Sequence, residues 1–301
     1  MADMETVVAP LELRRQVAEW RRAGGRIGFV PTMGALHEGH LSLVRLARRH
    51  AERVVASVFV NPTQFGPQED LAHYPRQPER DAELLAGAGC DLLFLPAVET
   101  IYPPGHATFV EPGGAARGLE GERRPGHFRG VATVVTQLLH LVQPDLAVFG
   151  EKDAQQLAVV RQLVRDLHLP VEIVAGPTVR ERDGLAMSSR NAYLSPDERC
   201  AAAVLHRALR AAAALVEAGE RDAAVVRKRL AAVLNEEPLA AVDYVAVVDA
   251  ATFRPVERLA DTVVLPVAVR IGSTRLIDNL RLSVPSPAAS STLIPASAIA
   301  G

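Results

Sequence analysis

The sequence predicts an α/β chain whose N-terminal part is a parallel sheet between helices, followed by a smaller α+β domain. Three observations carry this. Short β-branched and aromatic runs alternate with amphipathic stretches over the first 180 residues or so. Beyond about residue 185 the chain turns to Ala-rich helices and then to long apolar runs suited to an antiparallel sheet. Finally, three turns rich in glycine, histidine, lysine or serine each follow closely on an apolar run, the edge at which parallel sheets bind ligands.

The elements follow in order. "RIGFV" (26–30) and "RVVASVFV" (53–60) read as strands, and "LSLVRLARRH" between them has helical apolar spacing. A helix near 76–88 precedes the strand "CDLLFLP". Helices over 131–142 and 153–167 precede the strands "DLAVFG" and "VEIVAG" respectively. The second part offers helices at 196–218 and 221–234, then strands in "VDYVAVVD", "TVVLPVAVRIG" and "STRLIDNLRL". This gives domains at 1–184 and 185–284. The remaining 285–301, rich in Pro, Ser and Ala, reads as a disordered tail.

With 301 residues, 49% of them apolar, the chain can bury a sizeable core. A net charge of −2 leaves no global field to attract nucleic acid or an anionic membrane, so an anionic ligand must be held by local groups. Only Cys90 and Cys200 are present, which suits reduced thiols in a cytoplasmic protein. No signal-peptide layout and no membrane-length apolar stretch is found, and the chain reads as soluble.

In "PTMGALHEGH" (31–40), residues Met33, Gly34, Ala35, Leu36, His37, Glu38, Gly39 and His40 form a glycine-containing turn before a helix, a suitable approach for a phosphate. The histidines can donate to phosphate oxygens, or ligate a metal. In "FGEKDAQQL" (149–157), Gly150 exposes backbone, Glu151 and Lys152 follow, and Asp153 can accept from a ribose hydroxyl. A solvated helix start would look the same. "RERDGLAMSSRN" (180–191) brings Met187, Ser188, Ser189 and Arg190, two hydroxyls and a permanent cation suited to polyphosphate. Asn61 and Gln64 in "FVNPTQFG", with Gln156, have amides for a small hydroxy acid. Val134 and Val135 could wall a branched acyl group or simply be core. Asp81 could help to carry magnesium, though a charge on a helix surface is the plainer reading.

"VPTMGALHEGH", "VNPTQF", "YPR", "GHFRGVATVV", "FGEKDAQQL" and "MSSRN" occur here in the order and spacing of the pantothenate synthetase (pantoate–β-alanine ligase) family, which the chain resembles from about residue 7 to 283. "HEGH" and "MSSR" also look like the HIGH and KMSKS signatures of a wider nucleotidyltransferase superfamily. The resemblance implies a Rossmann-like N-terminal domain, a C-terminal lid and a homodimer. It implies ATP-dependent condensation of (R)-pantoate with β-alanine through a pantoyl adenylate, with Mg²⁺, giving pantothenate, AMP and pyrophosphate. Residue by residue, it puts His37 and His40 on the ATP phosphates, His40 as proton donor, beside Lys152 and the Met187–Arg190 loop. Asp153 and Gly150 fall on the ribose side, Val179 by the adenine, and Tyr74 near the phosphates. Gln64 and Gln156 would take pantoate, with Asn61 and Glu120 lining the same site. Ala154 departs from the tyrosine usual in the family; retained activity with a modest effect is expected. The rivals are another adenylyl- or cytidylyltransferase, whose acceptor pocket should be basic, and a noncatalytic nucleotide-binding protein.

Overall fold

Ile27–Thr32 (β2), Arg53–Val58 (β3), Leu146–Gly150 (β5) and Glu172–Gly176 (β6) form the middle and one side of a six-stranded parallel sheet in this computed structural model, which describes residues 4–67 and 69–284. Glu5–Val7 (β1) and Leu92–Phe94 (β4) complete it in the order β1-β4-β3-β2-β5-β6. Helices Pro10–Arg22 (α1), Glu38–His50 (α2), Pro78–Gly87 (α3), His127–Val142 (α6) and Ala154–Asp166 (α7) flank the sheet, with short helices at Val98–Ile101 (α4) and Glu120–Arg123 (α5). Strand β2 is followed in sequence by its neighbour on one side and paired with β5 on the other, so the chain order reverses between β2 and β5. That is the point at which an open parallel sheet forms a ligand crevice.

Local chemistry opens the crevice. The β2–β5 ladder runs only through Gly28 and Phe29, whereas β2 stays paired with β3 as far as Thr32. Pro31 lacks an N–H and sits where β5 no longer needs one. "PT" therefore belongs to the strand and not, as expected, to the turn.

The N-terminal β1–α1 unit was not anticipated. Its signals were Pro10 at the first helical turn and buried Leu13 and Val17 at helical spacing. The expected single helix at 196–218 is two, Pro196–Ala202 (α8) and Val204–Glu217 (α9), for which the local sequence gives no reason; α8 starts with a Ser195–Glu198 capping box. Ala223–Asn235 (α10) and the strands Ala240–Val245 (β7), Val248–Asp249 (β8), Thr262–Ile271 (β9) and Thr274–Ser283 (β10) make the second unit. Strands β7 and β8 both pair antiparallel with β9, which divides the expected strand "VDYVAVVD".

Alternation along β9 serves two cores. Val263, Leu265, Val267, Val269 and Ile271 pack with Leu205, Leu209, Leu230 and Leu234 of α9 and α10, while Val264 joins Val248 and Phe253 in the core of the parallel sheet. Burial of this second face lays the antiparallel sheet against the first unit. The tail expected to be disordered, 285–301, lies outside the described residues.

Candidate active site

A cavity at the C-terminal ends of the central strands gathers Met33, His37, Gly39 and His40 after β2, and Asn61 and Gln64 after β3. Gly150, Lys152, Asp153 and Gln156 join it after β5, with Val179 and Met187–Arg190 after β6. Val131, Val134, Val135 and Leu138 of α6 give it an apolar wall, and Tyr74 closes one side. Four segments far apart in sequence thus meet because parallel strands release them at one edge.

The histidines serve the helix and the cavity together. His37 is the N-cap of α2: its Nδ1 accepts from the Gly39 amide at 3.1 Å, and His40 Nδ1 accepts from the His37 amide at 3.4 Å. Since both Nδ1 atoms accept, each neutral ring carries its proton on Nε2. The rings lie 4.1 Å apart. Burial, then Lys152, pushes His37 down to about 4; burial, then His37, pushes His40 down to about 3. At neutral pH the pair therefore offers two neutral donors.

Asp81, expected on a helix surface and as a possible magnesium ligand, is corrected by the geometry. It is 1% exposed, and its oxygens accept from the Ala35 and Leu36 amides at 3.0 and 2.9 Å. The turn reaches it through left-handed conformations at Gly34 (φ +83°) and Ala35 (φ +51°), and a Cβ on Gly34 would lie 2.8 Å from an Asp81 oxygen. Gly34, Ala35 and Leu36 thus face Asp81 and the core, not the cavity. Nor does Glu38, exposed and paired with Arg45, or Glu151 border it. Asp81→Ala should leave two amides unsatisfied and cost about 1–3 kcal/mol of stability. Thermal melts check this, and a deficit in activity should not respond to added magnesium.

Asn61 is internally satisfied. Its Oδ1 accepts from Tyr102 Oη at 2.8 Å and Thr63 Oγ1 at 2.9 Å, and its Nδ2 donates to Gln64 Oε1 at 2.9 Å and the Gly130 carbonyl at 3.2 Å. Asn61 therefore orients Gln64, whose Nε2, among the described residues, faces only the Met33 thioether at 3.0 Å, a weak acceptor. Among the described residues, the Gln156 side chain makes no hydrogen bond to protein, and it borders the same space. Gly130 allows α6 to touch this loop. An added Cβ would press on the Thr63 carbonyl oxygen and lie 2.7 Å from the Gln64 nitrogen. Gly130→Ala should displace Gln64 and raise the KM for its ligand by about tenfold, for an overpacking cost of about 1–3 kcal/mol; steady-state kinetics with a thermal melt separates the two effects.

His127 and Arg124 also line the cavity, two residues not expected there from the sequence. Arg124 donates to His127 Nε2 at 3.1 Å, so Nδ1–H donates to the Gln64 carbonyl at 2.9 Å. Burial, then Arg124, lowers His127 to about 4. The signal was "GHFRG", with His127 near the start of α6. All three lowered histidines bind fewer protons folded than unfolded between about pH 4 and 6.5. Stability should be independent of these groups above pH 6.5 and fall as pH drops below it. Equal urea midpoints at pH 7.5 and 5 would contradict this.

Arg190, expected to face a polyphosphate, pairs with Asp70 at 2.9 and 3.1 Å, and Tyr74 Oη lies 3.5 Å from Ser189 Oγ. Ser188 Oγ accepts from the Arg190 amide at 3.3 Å, capping the turn Ser189–Tyr193. Gly150 has an ordinary φ of −74°, and Lys152 Nζ lies 3.7 Å from Asp153. Glu120 departs from its expected place beside Gln64. It is buried in a bidentate pair with Arg275 of β10 at 2.7 and 3.0 Å, bordering the neighbouring cleft between the two sheets. Ala154 packs on the first core and borders a small void with Phe253, where a larger side chain has room.

The model of the pantoate-beta-alanine ligase family matches residues 5–281. Pantothenate synthetase of Moorella thermoacetica is 55% identical over 281 residues, 93% of this chain and 99% of that protein. A crystal structure of pantothenate synthetase from Thermus thermophilus superposes with a TM-score of 0.87 at 52% identity, covering 92% of this chain and 99% of that one. The pantoate-beta-alanine ligase of Francisella tularensis, complexed with β,γ ATP and β-alanine, gives 0.75 at 34% identity over 92% and 97%. The fold, the switch-point cavity and these likenesses agree: the chain belongs to the pantoate-beta-alanine ligase family and is a ligase that joins pantoate to β-alanine with ATP.

Proposed function

We propose that ligation runs through a pantoyl adenylate made in the cavity described, and that the expected residues act as follows. A carboxylate oxygen of (R)-pantoate attacks the α-phosphorus of ATP, and the bond to the bridging oxygen breaks to release pyrophosphate. The β-alanine amine then attacks the acyl carbon, loses a proton, and the acyl–oxygen bond breaks to release AMP. The carrying observation is that donors for two different anions meet in one space: the Nε2–H groups of His37 and His40, with Lys152 and Ser188–Arg190, for phosphates, and the Gln64 and Gln156 amides beside the valine wall for a branched hydroxy acid. Gln64 presents Nε2, a neutral donor, which suits a carboxylate or hydroxyl oxygen.

Asp153 and Gly150 would face the ribose and Val179 the adenine. Because Arg190 is held by Asp70, the phosphates must share or replace that carboxylate. For magnesium, the described residues provide no cluster of three His, Cys, Asp or Glu, and each oxygen of Asp81 already accepts a backbone amide. Among the described residues no resident site fits the ion, which would come with ATP. No described helix is long and apolar enough to cross a membrane. The homodimer and the cytoplasmic location rest on the family resemblance.

ATP–pyrophosphate exchange with pantoate present and β-alanine left out tests this reading. Pantoate-dependent exchange is expected; pantothenate formation without any exchange would refute a freely reversible adenylate.

A further inference from the structure

Asp278 and Asn279, adjacent on β10, reach two segments that border the cavity, one released by β5 and the other by β6. Both are buried, at 2% and 6% exposure. Asn279 Nδ2 donates to the carbonyls of Glu151 at 2.9 Å and Lys152 at 2.8 Å. Two carbonyls facing one amide fix its orientation, because only the NH₂ end has two hydrogens to give. The Glu151–Asp153 turn is three residues long and has no side-chain cap, so the Asn279 amide is an added tether on its backbone.

Asp278 works in the other direction. Its carboxylate takes both terminal nitrogens of Arg180, at 2.6 and 3.0 Å, and Arg180 also donates to the carbonyls of Gly184 and Asn279. Arg180 pairs with Ala186 in an antiparallel bridge, and the Met187 amide closes on the Val179 carbonyl at 3.0 Å. The Met187–Arg190 loop leaves from that bridge. Strand β10 is itself held over ten residues to β9, and so makes a stiff base for both contacts.

We infer that Asn279, with Asp278 beside it, is a positioning residue for adenylate formation: it fixes the backbone of Lys152 at a set distance from the Ser188–Arg190 loop, so that both meet one polyphosphate. This rests on the assignment of Lys152 and that loop to the phosphates. Lysine carries its charge on a flexible stem, so the backbone anchor sets where the ammonium can reach. A displacement of about 1 Å is enough to cost about 10²-fold in rate.

A double-mutant cycle on pantoate-dependent exchange separates positioning from a merely structural bond. Asn279→Ala should lower the maximal exchange rate by about 10- to 100-fold with the pantoate KM within about twofold, and should add less than about threefold in a Lys152→Ala background. Equal losses in both backgrounds, or no loss in either, would overturn the inference while leaving the site assignment standing. Unchanged exchange in Lys152→Ala alone would overturn that assignment and this inference with it. Should Asn279→Ala not be recovered folded, Asn279→Asp, equal in size but without the NH₂ donor, goes through the same cycle with the same readings.

Discussion

Replacing His40 with asparagine should lower pantoate-dependent pyrophosphate exchange by about 10²–10³-fold while weakening ATP binding by less than about tenfold. The partly buried imidazole is neutral, with its proton on Nε2, and its value near 3 means that it waits as a donor and not as a cation. The leaving pyrophosphate oxygens gain further negative charge as the bond to the α-phosphorus breaks, so a donor placed there is worth more in the transition state than in the ground state. Asparagine is chosen because its Oδ1 can stand where Nδ1 stands and keep the bond from the His37 amide, so the start of α2 survives. Isotope exchange, nucleotide titration and a thermal melt on one preparation separate the three effects. Unchanged turnover would remove His40 from the chemistry.

The second large effect is expected at Gln64. Leucine there should cut kcat/KM for pantoate by about 10²-fold or more and leave ATP affinity within about twofold, because a site built around a placed donor loses its substrate when the donor goes. Glutamate should be worse, since it adds a carboxylate facing a carboxylate. The donor is placed by a chain of contacts: Tyr102 holds Asn61, Asn61 holds the oxygen of Gln64, and His127 holds its backbone carbonyl. A Gln64→Leu protein with an ordinary pantoate KM would show that the acid binds elsewhere.

Much of this site is legible in the sequence because parallel strands end in turns, and those turns carry histidine, glycine, lysine and serine in a recognisable order. His37, His40, Gln64, Lys152 and Ser188–Arg190 are local facts of that kind, and the structure brings them to one cavity. What the sequence hides is partnership at a distance. Asp81 looks like any acid on a helix, yet it turns inward onto amides 46 and 45 residues before it. Glu120 reads as a polar lining residue until Arg275, 155 residues on, is seen to take both its oxygens. The same holds for Asn279, which pattern alone places on a strand and nothing more. The short β1 strand was hidden differently: three residues give too little alternation to read, and its place comes from pairing with β4.

If a pantoyl adenylate forms, the pantoate carboxylate itself attacks the α-phosphorus. Single-turnover reaction of pantoate labelled with ¹⁸O in both carboxylate oxygens, followed by mass analysis of the products, tests it most directly. One ¹⁸O is expected in the phosphate of AMP and one in the amide of pantothenate. AMP free of label, with water as the source of its new oxygen, would contradict the adenylate and require a different activation of the acid.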